Sequence, residues 1–377
     1  MEVLNDQFRN SKSGSMVRRL EERFAELFGV KYAIAQVNGT ATLHSALAAV
    51  GVGPGDEVIV PPLTMMSTCF AVLQCGAVPV FADVDPATFT LDPASVVTKA
   101  SSRTKAIVPV ALYGLSADVD ALIAVARPFR AAVIEDSAQC FLGTCRGRIA
   151  GTIGDVGSYS FQISKHITAG EGGMLVTNDE GLAVGARRFG SLGYASVGAG
   201  SRQAKVVREV IQDPCYERHL TVGWNYRMPE PCAAIALGQT ERLQVFVALR
   251  CAVAELFAEA HCGCSWLIPQ AVPPGYTHSW WAYVVKLEND GAFSWYDFRE
   301  KFRELGGDAV YGAWQLSYLE PVLRGTAVGT ERYEMGLCPV AESLQPRLIQ
   351  FKTNYLDLAV AERQAEALSK TIAFFGQ

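Results

Sequence analysis

Apolar residues recur along the chain with two periods, and the switches between them mark its elements. In Met16–Phe28 the apolar positions Val17, Leu20, Phe24 and Leu27 fall three and four apart, the spacing of one helical face, and Gly29 supplies the stop. A short apolar run then predicts a strand at Tyr32–Val37, after which Asn38-Gly39-Thr40 opens a helix through Val50. The alternation continues with strands at Glu57–Val60, Val78–Ala82, Ala106–Val110 and Ala131–Glu135. Helices at Met66–Cys75, Asp92–Ala100 and Ala117–Ala126 lie between them. Two more runs, Val156–Phe161 and Met174–Val176, read as strands bracketing a Ser/Gly-rich loop. Ser191–Asp213, rich in Gly, Ser and charge, reads as a long loop, and Pro229–Val247 as a helix. This order predicts an α/β fold with a largely parallel sheet and helices on both faces. Near residue 250 the pattern changes to mixed helix and strand (Ala282–Leu287, Trp295–Leu305, Ala359–Phe375). We therefore expect a large domain over residues 1–249 and a smaller C-terminal α/β domain over residues 250–377.

Composition narrows the function classes. Of 377 residues half are hydrophobic and 19% charged, ample for a large core. The net charge of −5 and the lack of a Lys/Arg block give nucleic-acid binding no electrostatic support. The opening Met1-Glu2-Val3-Leu4-Asn5-Asp6-Gln7 is polar, without a signal-peptide core, and no apolar stretch is long enough to span a membrane. The ten cysteines are scattered without disulfide spacing, which fits a reduced, cytoplasmic protein. His261-Cys262-Gly263-Cys264 has no matching ligand pair at zinc spacing and reads as structural, so no metal is expected.

Three places carry candidate chemistry. Lys165 lies in the loop between the two bracketing strands, where partial desolvation lowers an amine's pKa and equips it to form a Schiff base with a carbonyl. For a single lysine an ordinary surface position is the commoner alternative. The junction Asn38-Gly39-Thr40 aims free N–H groups and a positive dipole end at one spot, suiting a phosphate, although any tight βα turn looks similar. Glu135-Asp136-Ser137-Ala138-Gln139 ends a strand at the rim where ligands of such sheets gather. A carboxylate there can pair with a protonated ring nitrogen or merely cap a helix.

Several pieces in one order resemble the DegT/DnrJ/EryC1/StrS family of pyridoxal phosphate enzymes, the sugar aminotransferases of the aspartate aminotransferase fold. They are Asn38-Gly39-Thr40-Ala41-Thr42-Leu43, Gly55-Asp56-Glu57-Val58-Ile59-Val60-Pro61, Glu135-Asp136-Ser137-Ala138-Gln139, Ser160-Phe161 with Lys165 and Gly170-Glu171-Gly172-Gly173, and Gly223-Trp224-Asn225-Tyr226-Arg227-Met228. The resemblance implies a sheet of the seven-stranded type and a cofactor, pyridoxal phosphate, that cycles through pyridoxamine phosphate. Lys165 would carry the imine, Asp136 meet the pyridine nitrogen and Gln139 the ring hydroxyl. Gly39, Thr40 and Ser160 would hold the phosphate, and Asn225 would reach it from the other subunit of a homodimer with shared active sites.

Departures from the family pattern concern the substrate side. Met65 stands where an aromatic ring usually covers the cofactor, and Ala111-Leu112-Tyr113-Gly114 lacks the usual histidine. The segment before the first helix is shorter than the resemblance leads one to expect. His278, Arg227 and Tyr311 are the candidate substrate contacts; His278 has a packing and Arg227 a bracing alternative, while Trp280-Trp281 reads as core or interface. The implied reaction moves an amino group, by analogy from glutamate, to a keto sugar, expected to be nucleotide-linked. The alternatives are a free keto-cyclitol, a pyridoxamine phosphate-dependent sugar dehydratase, and a regulator that binds the cofactor without turnover. A dehydratase of this scaffold has histidine in place of the lysine, and here His166 is only beside it. An NAD-dependent oxidoreductase lacks its G-x-G-x-x-G after the first strand.

Overall fold

The computed structural model describes residues 15–200, 207–329 and 331–376. The polar opening segment and part of the expected Ser191–Asp213 loop lie outside the described residues. Seven strands form the large sheet: β1 (Tyr32–Gln36), β2 (Glu57–Val60), β3 (Val78–Phe81), β4 (Thr104–Ile107), β5 (Ala132–Asp136), β6 (Val156–Ser160) and β7 (Gly173–Thr177). Their order is β1-β7-β6-β5-β4-β2-β3. The β3, β2, β4, β5 and β6 pairings are parallel, whereas β7 runs antiparallel to both β6 and β1. The strands are buried nearly throughout because helices cover both faces. These are α1 (Ser15–Phe28), α2 (Gly39–Ala49), α3 (Ser67–Gln74), α4 (Pro93–Lys99), α5 (Val119–Ala126) and α6 (Glu180–Phe189).

Most predicted elements appear within a residue or two of their expected ends. Three differ. Helix α6 was not expected: its sequence, Glu-Gly-Leu-Ala-Val-Gly-Ala-Arg-Arg-Phe, carries two glycines, and tertiary packing overrides that weak propensity. Asp179 caps it by accepting from Leu182 N–H. Within the expected long loop, α7 (Arg208–Gln212) forms a short helix. The single helix expected at Pro229–Val247 is two, α8 (Glu230–Thr240) and α9 (Leu243–His261), broken where the Thr240 hydroxyl donates to Ala236 O and the chain turns.

Helix α9 runs from the large sheet to a second, four-stranded sheet of order β8-β9-β11-β10. Its strands are β8 (Leu267–Pro269), β9 (Ala282–Leu287), β10 (Tyr311–Gly312) and β11 (Leu348–Lys352). The helices α10 (Trp295–Glu304), α11 (Pro339–Leu344) and α12 (Leu358–Phe375) complete this part. It has its own core, with Phe257, Tyr283, Phe298, Phe302 and Phe351 buried together. No helix among the described residues is long and apolar enough to cross a membrane.

The first helix is fastened by charge as well as by packing. Phe24 and Phe28 stack at 4.1 Å and fill the sheet face under Tyr159 and Phe161. Glu21, 2% exposed, accepts from both Arg187 Nη1 at 2.9 Å and Nη2 at 3.0 Å, and from the N–H of Ala35 at 3.0 Å. One carboxylate thus ties α1 to α6 and β1. Glu21→Ala strands the guanidinium and should cost about 3 kcal/mol, read as a lower denaturant midpoint. An unchanged midpoint would show that the pair is not coupled to folding.

Candidate active site

The parallel strands end at one rim, and the candidate residues are assembled there. β5 delivers two acids with opposite fates, because alternate side chains of a strand point to opposite faces. Glu135 accepts three backbone N–H bonds at 2.7 Å, from Gly151, Ile153 and Gly154, and so shapes a loop. Asp136, also buried, faces the site. Its Oδ2 accepts from the Thr68 hydroxyl at 2.8 Å and its Oδ1 from Ala138 N–H at 3.2 Å. Burial pushes its pKa up, opposed by the Thr68 and Ala138 hydrogen bonds and by the Lys165 charge.

β6 and β7 pair as far as Ser160 opposite Gly173, so the lysine loop is a hairpin loop clamped at both ends on the rim. Lys165 is partly buried in it, and burial lowers the amine to about 8. The Asp136 carboxylate works against that shift and the Arg250 guanidinium with it. The Nζ lies 4.9 Å from the centroid of the Trp281 ring, which stacks in turn on Tyr113. Tyr113 has φ of 62°, and that left-handed turn lets its N–H donate to Gln139 Oε1 at 2.9 Å. The NH2 end of Gln139 is left to donate.

At the start of α2 the backbone of β1, β6 and β7 converges. A methyl group on Gly39 would sit 2.9 Å from Ser160 Cβ, and one on Gly173 would sit 2.6 Å from Asn38 C and O, so only glycine lets the strands close there. Asn38 caps the helix by accepting from Ala41 N–H, and Thr40 donates to Ser67 Oγ. Ser67 in turn donates to the Met65 sulfur. Met65 is 48% exposed, so a thioether rather than an aromatic ring stands at the mouth. Gly39, Thr40, Ser160, Met65, Asp136, Gln139 and Lys165 therefore form one connected group.

The remaining candidates stand around it. Asn225 is exposed and pairs with Ser191 through the backbone, next to a stack of Trp224 on Tyr226 whose hydroxyl meets His44 Nδ1 at 3.0 Å. Arg227 bridges to Gln36 at the end of β1, and its buried Nη1 has no partner among the described residues. His278 is buried with both ring nitrogens engaged, Nε2 with Gln270 Oε1 and Nδ1 with Trp280 N–H, and burial takes its pKa down to about 3. That is the packing alternative, and it directs His278 to bracing Gly114 rather than to a ligand. Tyr311 is exposed on the wall of a cavity of about 440 Å³ that Trp281, Trp314 and Arg250 also line. Sequence reasoning missed Thr68 and Arg250. The second had a signal: Arg250 interrupts the apolar run from Val245 to Ala254.

Pyridoxal phosphate fits these residues. Asp136 is a buried carboxylate whose hydrogen-bond donors are one hydroxyl and one N–H, so a cationic N–H opposite it relieves the cost of burial. The α2 N-terminus and Ser160 offer anion donors, and Lys165 offers an amine of lowered basicity. The amine can be read directly in the full-length protein freed of cofactor, by competitive acetylation with mass-spectrometric detection. Lys165 should titrate near 8 rather than at 10.5. Asp136→Asn should lower the midpoint further, because the lost carboxylate favours the ammonium form. A midpoint at the ordinary lysine value would contradict this geometry.

The model of the DegT/DnrJ/EryC1/StrS aminotransferase family matches residues 1–359. The chain is 41% identical over 280 residues to the GDP-perosamine synthase of Caulobacter vibrioides, covering 74% of this chain and 70% of that protein. It is 40% identical over 242 residues to the UDP-2-acetamido-2-deoxy-3-oxo-D-glucuronate aminotransferase of Pseudomonas aeruginosa, covering 64% of this chain and 62% of that protein. Among solved structures, the aminotransferase from Psychrobacter cryohalolentis superposes with a TM-score of 0.88 at 31% identity, covering 100% of this chain and 96% of that one. Sequence and fold agree, and the chain belongs to the DegT/DnrJ/EryC1/StrS family and is a pyridoxal phosphate-dependent aminotransferase.

Proposed function

We propose that the protein transfers an amino group from glutamate to the ketone of a nucleotide-linked keto-deoxysugar, producing an amino sugar. The observation that carries this reading is the partly buried Lys165 amine facing the buried Asp136 carboxylate at the end of β5. The names of the Caulobacter and Pseudomonas relatives, both referring to nucleotide-linked sugars, support the acceptor class.

When bound, the cofactor supplies an electron sink for negative charge at the donor's α-carbon. Asp136 offers its carboxylate to the pyridine N–H, keeping that proton in place. Gly39 and Thr40 at the α2 N-terminus and Ser160 Oγ take the phosphate, and the Gln139 amide donates to the ring hydroxyl oxygen. Met65 would lie over the ring. Lys165 Nζ, with its lowered basicity, accepts the proton from the donor carbon and later delivers one to the acceptor carbon. Arg227 and Tyr311 face the acceptor, while His278 supports the wall behind them.

The same reading makes the enzyme a homodimer in which Asn225 of a second copy reaches the phosphate. The exposed apolar residues Leu220, Val222 and Trp224 beside Asn225 support such a face. A large unit over residues 1–249 and a small one over 250–377 fit the two sheets, with α9 running through the division. Ten free cysteines among the described residues support a cytoplasmic, reducing location.

Purified protein should be yellow and bleach irreversibly with borohydride. With glutamate and a panel of keto sugars it should yield 2-oxoglutarate and an amino sugar, and Lys165→Ala should lower that rate by roughly 10³-fold or more. A deoxy sugar without nitrogen would instead establish the dehydratase. Shared sites have a separate test. Mixing inactive Lys165→Ala and Asn225→Ala subunits should restore activity, because each mixed dimer regains one intact site. No recovery would rule out sharing through Asn225.

A further inference from the structure

Arg250 stands near the middle of α9, 5% exposed, with no carboxylate paired to it among the described residues. Burying a guanidinium without a counter-charge is costly, and burial alone lowers its pKa to about 10. Neutral oxygens take its hydrogens instead. Nη2 donates to Lys165 O at 2.9 Å and to Ser164 O at 3.3 Å, the two carbonyls on either side of the lysine Cα. Nη1 donates to Trp281 O at 2.9 Å and to Thr353 Oγ1 at 3.0 Å. The Trp281 indole closes the circuit, its Nε1 donating to Ser164 O at 2.9 Å while its ring lies beside Lys165 Nζ. One guanidinium thus joins the lysine loop to the start of β9 and to the residue that follows β11. A methionine or leucine would fill the same volume at lower cost, so packing does not account for an arginine here.

We propose that Arg250 is a positioning residue for Lys165: its guanidinium locks the Ser164–Lys165 backbone and the Trp281 ring into one hydrogen-bonded unit and sets the electrostatic surroundings of the amine. The planar fork is essential, because it reaches four acceptors in fixed directions where an ammonium cannot. The charge adds a second effect. The charged groups facing Nζ are the Asp136 carboxylate from β5, which favours the ammonium, and the Arg250 guanidinium from α9, which disfavours it. His166, next in the chain, is held neutral by burial. Position and basicity of the reacting amine then both depend on Arg250. This rests on reading Lys165 as the reacting amine, and its test observes the amine and its loop directly, so a failure of the transamination reading leaves the outcome interpretable.

The test uses the full-length chain and three variants. Hydrogen exchange over residues 162–168 is measured on the protein as purified, and the Lys165 titration by competitive acetylation after cofactor removal. Arg250→Gln should raise the Lys165 midpoint from about 8 toward 10.5 and speed loop exchange by roughly tenfold or more. Arg250→Lys retains the charge and loses the fork, so exchange should accelerate while the midpoint stays near the wild-type value. Trp281→Phe removes the indole bond to Ser164 O while keeping a ring beside Nζ, and should accelerate exchange less than Arg250→Gln. If Arg250→Gln lowers the thermal midpoint but leaves both Lys165 readouts unchanged, Arg250 is merely structural and the proposal fails. Should Arg250→Gln not fold, Arg250→Lys decides: faster loop exchange supports the lock, and unchanged exchange overturns it.

Discussion

A carboxylate and an amine that would each prefer water are held together at the end of a parallel sheet, and the rest of the molecule serves that constraint. Asp136 is buried with few donors, which pushes it toward the neutral acid, and Lys165 is desolvated toward the free base. Each charge favours the ionised form of the other. Each charge therefore offsets part of the other's burial cost. Water admitted at the rim would relax both shifts, and the aromatic wall of Trp281 and Tyr113 helps to keep it out.

The parts of the fold visible in the sequence are those in which local pattern and tertiary role coincide. The α1 stripe of Leu20 and Phe24 is apolar because it faces the sheet, and the apolar runs at β2, β3 and β5 are bounded by turn residues. The site was legible for a related reason. Asp136 ends a strand, Gly39 starts a helix and Lys165 sits on a loop between strands, so topology brings the three positions to one rim, while their roles came from the family resemblance.

What stayed hidden depends on contacts between distant segments. Helix α6 has glycines and poor propensity and is held by its neighbours, including the Glu21–Arg187 pair. Thr68 has nothing in its own stretch of chain that points to Asp136, 68 residues away. Arg250 reaches a loop 85 residues earlier in the chain, and a periodicity argument sees only an arginine among apolar neighbours. His278 shows the reverse. Its position suggested a ligand contact, yet Gln270 and Trp280 use both ring nitrogens, and no sequence pattern announces such saturation.

The reversed direction of β7 also orders events during synthesis. Ser160 meets Gly173 across β6 and β7, and Gln36 meets Gly173 across β1 and β7, so the anion cradle is stitched by a strand made long after its first residues. A chain emerging from the ribosome can build the early βα units by local pairing, but the nest around Gly39 remains open until Thr177 has been added. The cradle around Gly39 is thus closed by long-range rather than local pairing, which makes it the most topologically demanding part of the site.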